Sequence, residues 1–166
     1  MEIRLAEYGD LDSIDRIYNQ AIALKMATAD RVPYSKEERL NWFEAHVPGK
    51  FPAYVAVEGD EVIGYMTLTP YRPRREALRY AVEISYFVEE SKRGKGIGSE
   101  LLEYGLLIAS DLDYKFVVAI LMGHNIASIK LLEKFGFSEW GRLPSIAEYD
   151  GKWYDHLFYG LRLEDS

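Results

Sequence analysis

The chain has 166 residues, a length that suits one ordinary domain. Hydrophobic residues make up 48% and charged residues 28%, a globular balance that argues against a disordered or fibrous chain. The formal charge is −7 and cysteine is absent, which sets aside a phosphate-gripping nucleic-acid binder, a disulfide scaffold, thiolate catalysis and cysteine zinc sites.

The net charge hides a local asymmetry. Between Arg72 and Lys95 seven basic residues outnumber four acids, giving +3 against −10 for the rest of the chain. An acidic protein with one basic stretch is expected to meet an anionic small molecule. The opening MEIRLAEYGD carries charges where a signal peptide needs an apolar core. The longest apolar run, Phe116 to Met122, has seven residues, too few to span a bilayer. A soluble, cytoplasmic protein with no membrane partner is the expectation. His46, His124 and His156 are scattered without metal-ligand spacing, so no metal is expected.

Residues 3–6 read as a short strand. Asp10 or Asp12 can cap a helix whose apolar positions Ile14, Ile17, Tyr18, Ala21 and Ile22 follow helical spacing. Ser35 with Glu38 is a capping box, opening a helix through about Ala45. Pro48, Gly49 and Pro52 then break the chain. Segments 53–58 and 61–69 read as strands around the hairpin pair Gly59-Asp60. A Pro/Arg loop fills 70–77, and a strong strand runs from Tyr80 to Val88. The basic glycine-rich loop 92–98 leads into a helix with Ile97, Leu101, Tyr104, Ile108 and Leu112 on one face. Phe116 to Met122 reads as a buried strand, and Asn125 caps a helix that ends at Gly136. Two last strands, 137–149 and 152–163, meet at Asp150-Gly151. The order β-αα-βββ-α-β-α-ββ predicts an α+β fold. Its one crossover, at 80–122, should be right-handed and join roughly parallel strands.

The loop reads Arg93-Gly94-Lys95-Gly96-Ile97-Gly98, after a strand and opening a helix. Glycines let backbone N–H groups approach a ligand closely, and a helix N-terminus adds unpaired donors with a positive dipole end. Lys92, Arg93 and Lys95 add side-chain charge. The combination suits a phosphate or pyrophosphate. GxGxxG fails in either register and Walker A is absent, but R-x-x-G-x-G is present. A glycine-rich turn with solvated lysines is the plain alternative.

In this motif the chain resembles the GNAT acetyltransferase superfamily, whose pyrophosphate loop has the form (Q/R)-x-x-G-x-(G/A). Further segments resemble its phosphinothricin and methionine sulfoximine N-acetyltransferase branch. They include Ile17-Tyr18-Asn19, Glu37-Glu38-Arg39 with Trp42-Phe43, Pro70-Tyr71-Arg72-Pro73-Arg74, Val82-Glu83, Asn125-Ile126-Ala127-Ser128 and Gly151-Lys152-Trp153-Tyr154-Asp155. The resemblance runs nearly end to end. It implies a single domain over 1–166, with a mixed, mostly antiparallel sheet and helices on both faces. It also implies acetyl-CoA as co-substrate, a small amino-acid-like acceptor and a homodimer. The amides of about 94–98 would hold the pyrophosphate. The pantetheine arm would lie where the 80–88 and 116–122 strands splay, with Asn125 and Ser128 beside it. Backbone N–H groups near Phe87 or Val88 would stabilise the oxyanion. Asn125 serves equally as a helix N-cap.

Glu83 sits in an otherwise apolar strand, where desolvation raises a carboxyl pKa toward that of a general base. The resemblance implies the same role. An ion pair with a nearby arginine is the alternative. Strand alternation places Arg79 on the face of Glu83, so its guanidinium could hold a substrate carboxylate. Arg72 and Arg74 are further candidates, or simply solvated loop residues. Asn19 could border the pocket. The branch's usual thiolate acid falls at Leu132, which has no proton to give, leaving water, a helix dipole, Tyr149 or Tyr154. Ala29, Val32 and Ala81 replace residues that commonly shape the branch's acceptor pocket. The leading expectation is acetyl transfer to an amino-acid α-amine by direct attack in a ternary complex. The alternatives are a protein N-terminus, lysine or polyamine acceptor, or a silent acyl-CoA sensor.

Overall fold

The period-two pattern of the apolar residues builds a sheet with two greasy faces, and the helices divide between them. In the computed structural model, which describes residues 1–164, the elements run β1 (Glu2–Leu5), α1 (Leu11–Leu24), α2 (Lys36–Ala45), β2 (Ala53–Glu58), β3 (Glu61–Pro70), β4 (Ala81–Val88), α3 (Ile97–Asp111), β5 (Phe116–Met122), α4 (Ile126–Lys134), β6 (Ser138–Tyr149) and β7 (Lys152–Arg162). The seven strands form one sheet in the order β1-β2-β3-β4-β5-β7-β6. Only β4 and β5 pair in parallel, as the crossover requires.

One face carries Met66, Leu68, Val82, Ile84, Val117 and Ala119, packed with Leu101, Leu102 and Ala109 of α3 and Leu132 of α4. Gly105 permits this approach. A Cβ there would stand 2.5 Å from Ile84 Cδ1 and 3.2 Å from Met66, so those packed side chains would have to shift. On the opposite face a second core joins Leu11, Ile14, Ile17 and Tyr18 of α1 to Val55, Val62 and Tyr65, with Trp42 and Phe43 of α2 against it.

Ser35 and Glu38 cap α2 reciprocally, as their spacing predicts. Two local expectations change. Asp10 occupies the N-cap of α1 without a side-chain cap bond, because Arg4 and the Glu7 N–H take its carboxylate. Strand β4 begins at Ala81, not Tyr80. A 3₁₀ turn at Glu76–Leu78 precedes it and holds Arg79 in a helical conformation, so strand alternation does not extend to Arg79.

Candidate active site

Strand β4 pairs with β5 only at Ala81–Phe116, Val82–Val117 and Glu83–Val118. Beyond that rung the strands part, while β4 stays paired with β3 up to Val88–Gly64. Glu89 N–H donates to Ile63 O at 2.9 Å, which fixes the ladder's phase. Antiparallel alternation then turns Phe87, Ser85 and Glu83 toward β3 and leaves the N–H groups of Val88 and Tyr86 facing the open gap. Of the two expected oxyanion donors, Val88 faces the gap and Phe87 does not. The Val88 carbonyl on that edge accepts from Arg93 Nε at 3.1 Å.

A groove of about 490 Å³ runs from this gap to the glycine loop. Phe87, Val88, Arg93, Gly94, Gly96, Ile97, Gly98, Asn125 and Ser128 line it. Gly94 has φ +74° and Gly96 φ +86°, with nothing within 4 Å of where a Cβ would be. That backbone needs glycine and leaves its amides open at the start of α3. Such a cradle fits a pyrophosphate. Lys92 also lines the groove but is ion-paired to Glu58, while Lys95 is exposed beside it. Glu89 anchors the loop. It accepts from the Ser91 hydroxyl at 2.5 Å, from Gln20 Nε2 at 3.0 Å and from Ser91 N–H at 2.8 Å, bonds that hold its carboxyl down to about 2.

Asn125 caps α4 through Ser128 N–H at 3.3 Å. Ser128 Oγ lies 3.0 Å from Tyr86 Oη, inside the groove. Tyr86 is the hydroxyl that the sequence reading missed. Its parity on β4, opposite to that of Glu83, is the signal that would have found it. Leu132 is buried in the core, and its neighbour Leu131 turns to the groove instead. Tyr149 is occupied elsewhere, donating to Thr28 O at 2.7 Å.

A second cavity, of about 280 Å³, adjoins the groove and shares Ala27 and Phe87 with it. Its floor is the Glu83 face of the sheet, comprising Thr67 and Thr69 of β3, Glu83 and Ser85 of β4, Ile120 and Met122 of β5 and His156 of β7. Glu83 makes no hydrogen bond or ion pair among the described residues, and burial alone pushes its carboxyl pKa up. An ion-paired structural glutamate is therefore not what the fold presents. His156 shares the cavity, and burial lowers its pKa.

The cavity's arginine is Arg39 of α2, not Arg79. Arg79 is exposed, bonds Glu76 O at 2.9 Å and stacks over Tyr80. Arg72 and Arg74 are exposed, and their loop borders a separate apolar depression through Tyr71 and Leu78. Asn19 is exposed on α1 and lines neither cavity. Residues 25–34 roof both cavities, and the β6–β7 turn holds them down. Lys25 pairs with Asp150 and Arg31 reaches Glu148 at 3.4 Å, and from the turn after β5 His124 Nε2 donates to Lys25 O at 2.9 Å.

The model of the acetyltransferase (GNAT) domain matches residues 3–158. The chain belongs to the GNAT acetyltransferase family. It is 43% identical to YwnH of Bacillus subtilis (strain 168), provisionally named a phosphinothricin acetyltransferase, over 98% of this chain and 99% of that one. It is 34% identical to the L-methionine sulfoximine/L-methionine sulfone acetyltransferase of Pseudomonas aeruginosa, over 99% of this chain and 95% of that one. A solved phosphinothricin acetyltransferase from Sinorhizobium meliloti, in complex with acetyl-CoA, superposes with a TM-score of 0.92 at 31% identity, over 98% of this chain and 88% of that one. This GNAT acetyltransferase therefore shares fold and family with enzymes named for small amino-acid-like substrates. No helix among the described residues is long and apolar enough to cross a membrane. No cluster of three or more metal-ligating side chains occurs among them.

Proposed function

We propose that this enzyme transfers the acetyl group of acetyl-CoA to the α-amine of a small amino-acid-like acceptor, by direct attack in a ternary complex. One observation carries the reading. An unpaired, desolvated carboxylate, Glu83, stands in a cavity that opens onto a glycine-lined groove where two strands part. The names of the relatives support the same acceptor class, including phosphinothricin and methionine sulfoximine or sulfone.

Acetyl-CoA would supply an activated thioester. The amides of Gly94 to Gly98 hold its pyrophosphate, Arg93 and Lys95 add positive charge, and Asn125 and Ser128 flank the pantetheine arm. Glu83 takes the proton that the attacking amine must lose, directly or through water. The Val88 N–H donates to the carbonyl oxygen as negative charge grows there, without prior reorganisation. Tyr86 donates to the departing sulfur. A thiol with a pKa of ~8.5 needs only that assistance.

We also infer a single catalytic domain, a cytoplasmic setting and a homodimer. Strand β6 lies at the sheet edge and exposes Trp140, Leu143 and Ile146, which supports association through that region.

A thiol-release assay tests the proposal with a panel of free amino acids, methionine sulfoximine, methionine sulfone, phosphinothricin, peptides and polyamines. Steady turnover with free amino-acid-like acceptors is expected. Turnover confined to peptides or polyamines overturns the acceptor assignment. Thiol release with none of them would indicate a silent acyl-CoA binder.

A further inference from the structure

Arg39 is the most completely enclosed cation in the cavity, at 2% exposure. A guanidinium has five N–H donors in a rigid fork. Its Nε donates to Asp15 at 2.7 Å, which balances the charge. Its Nη2 is buried without a hydrogen-bond partner. Such a donor is costly to leave unmade, so a fold that retains one beside a cavity has a use for it.

The fork is also held in place. Its centre lies 4.3 Å from the Tyr34 ring centroid, 4.6 Å from that of Trp42 and 5.2 Å from that of Tyr18. These rings fix the plane of the guanidinium before any ligand arrives. Tyr18 is itself tied to Thr28 at 2.9 Å and to Asp30, so the aromatic box is joined to the roof of the cavity.

Position decides which part of an acceptor this donor meets. Trp42 packs on Tyr65, which lies opposite Phe87, whereas Glu83 lies opposite Thr69. Four residues of strand separate those rungs, on the order of 13 Å of backbone. An α-carboxylate is only two bonds from its α-amine. Arg39 and Glu83 therefore meet the cavity from different rungs of the sheet, and an oxygen at the far end of an extended side chain, about five bonds from the amine, reaches further toward Arg39 than an α-carboxylate oxygen, three bonds away.

We propose that Arg39 is a specificity-determining residue whose Nη2 hydrogen-bonds an oxygen at the side-chain end of the acceptor, such as a phosphinate, sulfonyl or carboxylate oxygen. This rests on the amino-acid acceptor reading above and sharpens it. Acceptors of similar length but with a hydrocarbon end leave Nη2 unpaired and are selected against.

The test compares kcat/KM for methionine sulfone and phosphinothricin with that for norleucine, in the wild type and in Arg39→Lys. Lysine retains the positive charge beside Asp15 but lacks the second arm of the fork. The wild type should favour the oxygen-bearing acceptors by at least about tenfold, mainly through KM. Arg39→Lys should bring that ratio close to one, with the acetyl-CoA Kd unchanged. Equal ratios in the two proteins overturn the assignment, because a merely structural arginine would lower all acceptors alike. If Arg39→Lys does not fold, the wild-type series decides, and no preference there overturns the proposal. Failure of the acceptor reading looks different, as no turnover with any free amino acid.

Discussion

Glu83 and Val118 form the last rung of the parallel β4–β5 ladder. The candidate base therefore stands where the sheet opens, with the second cavity on its own face and the glycine-lined groove reached through the gap beyond it. The placement has a thermodynamic cost that can be measured. Burial raises the Glu83 pKa above its ordinary 4.5. The folded state thus prefers the neutral acid, and stability falls as pH rises from the unfolded pKa through the folded one. Glu83→Gln should unfold at a higher denaturant concentration than the wild type at pH 7. The difference should vanish below about pH 4, where both states are protonated. Chemical denaturation at the two pH values checks this.

The glycine loop makes a separate prediction. Gly96 has φ +86° and open space around the Cβ position, so alanine there meets backbone strain rather than a clash. Left-handed backbone costs a non-glycine residue about 1–2 kcal/mol. Gly96→Ala should weaken acetyl-CoA binding by about tenfold, as read by calorimetry, and leave the acceptor KM nearly unchanged.

Tyr86 offers a test of thiolate departure. Its Oη lies 3.0 Å from Ser128 Oγ in the groove. Burial raises its pKa, so it stays protonated and can donate. Tyr86→Phe should lower kcat by about tenfold, the scale of one lost hydrogen bond, with the acetyl-CoA Kd unchanged. An unchanged kcat would return the role to solvent.

Residues 25–34 roof the cavities through surface ion pairs to the β6–β7 turn. Exposed pairs contribute little to stability and are screened by salt. Asp150 has φ 52°, a conformation that asparagine tolerates well. Asp150→Asn should therefore leave Tm almost unmoved and raise the acceptor KM about two- to fivefold. High salt should produce the same rise in the wild type.

Local signals carried most of the fold. The Ser35–Glu38 capping box, the Gly59-Asp60 and Asp150-Gly151 turns and the glycine loop each act within a few residues, and the structure has all of them. The second cavity was less legible, because its residues meet only in three dimensions. Arg39 reads as an ordinary arginine on a polar helix. Its burial depends on Asp15, 24 residues earlier, and on rings from three segments. His156 enters the cavity only because β7 lies beside β5 with His156 opposite Met122. Arg79 looked like a strand neighbour of Glu83. Alternation is a valid argument only inside a strand, and a 3₁₀ turn ends at Leu78, three residues before Ala81. Which of Val88 and Phe87 turns its N–H to the gap depends on which edge of β4 stays paired, a fact about partners that no single segment contains.

The central claim is that Glu83 accepts the amine's proton. The most direct test is kcat against pH with a saturating amino-acid acceptor, in the wild type and in Glu83→Gln, with acetyl-CoA binding measured alongside. The wild type should lose activity as pH falls through a pKa above 4.5. Glu83→Gln should bind acetyl-CoA normally, lack that acid limb and turn over about 10²- to 10⁴-fold more slowly. A variant that keeps the wild-type kcat and the same acid limb would contradict the account.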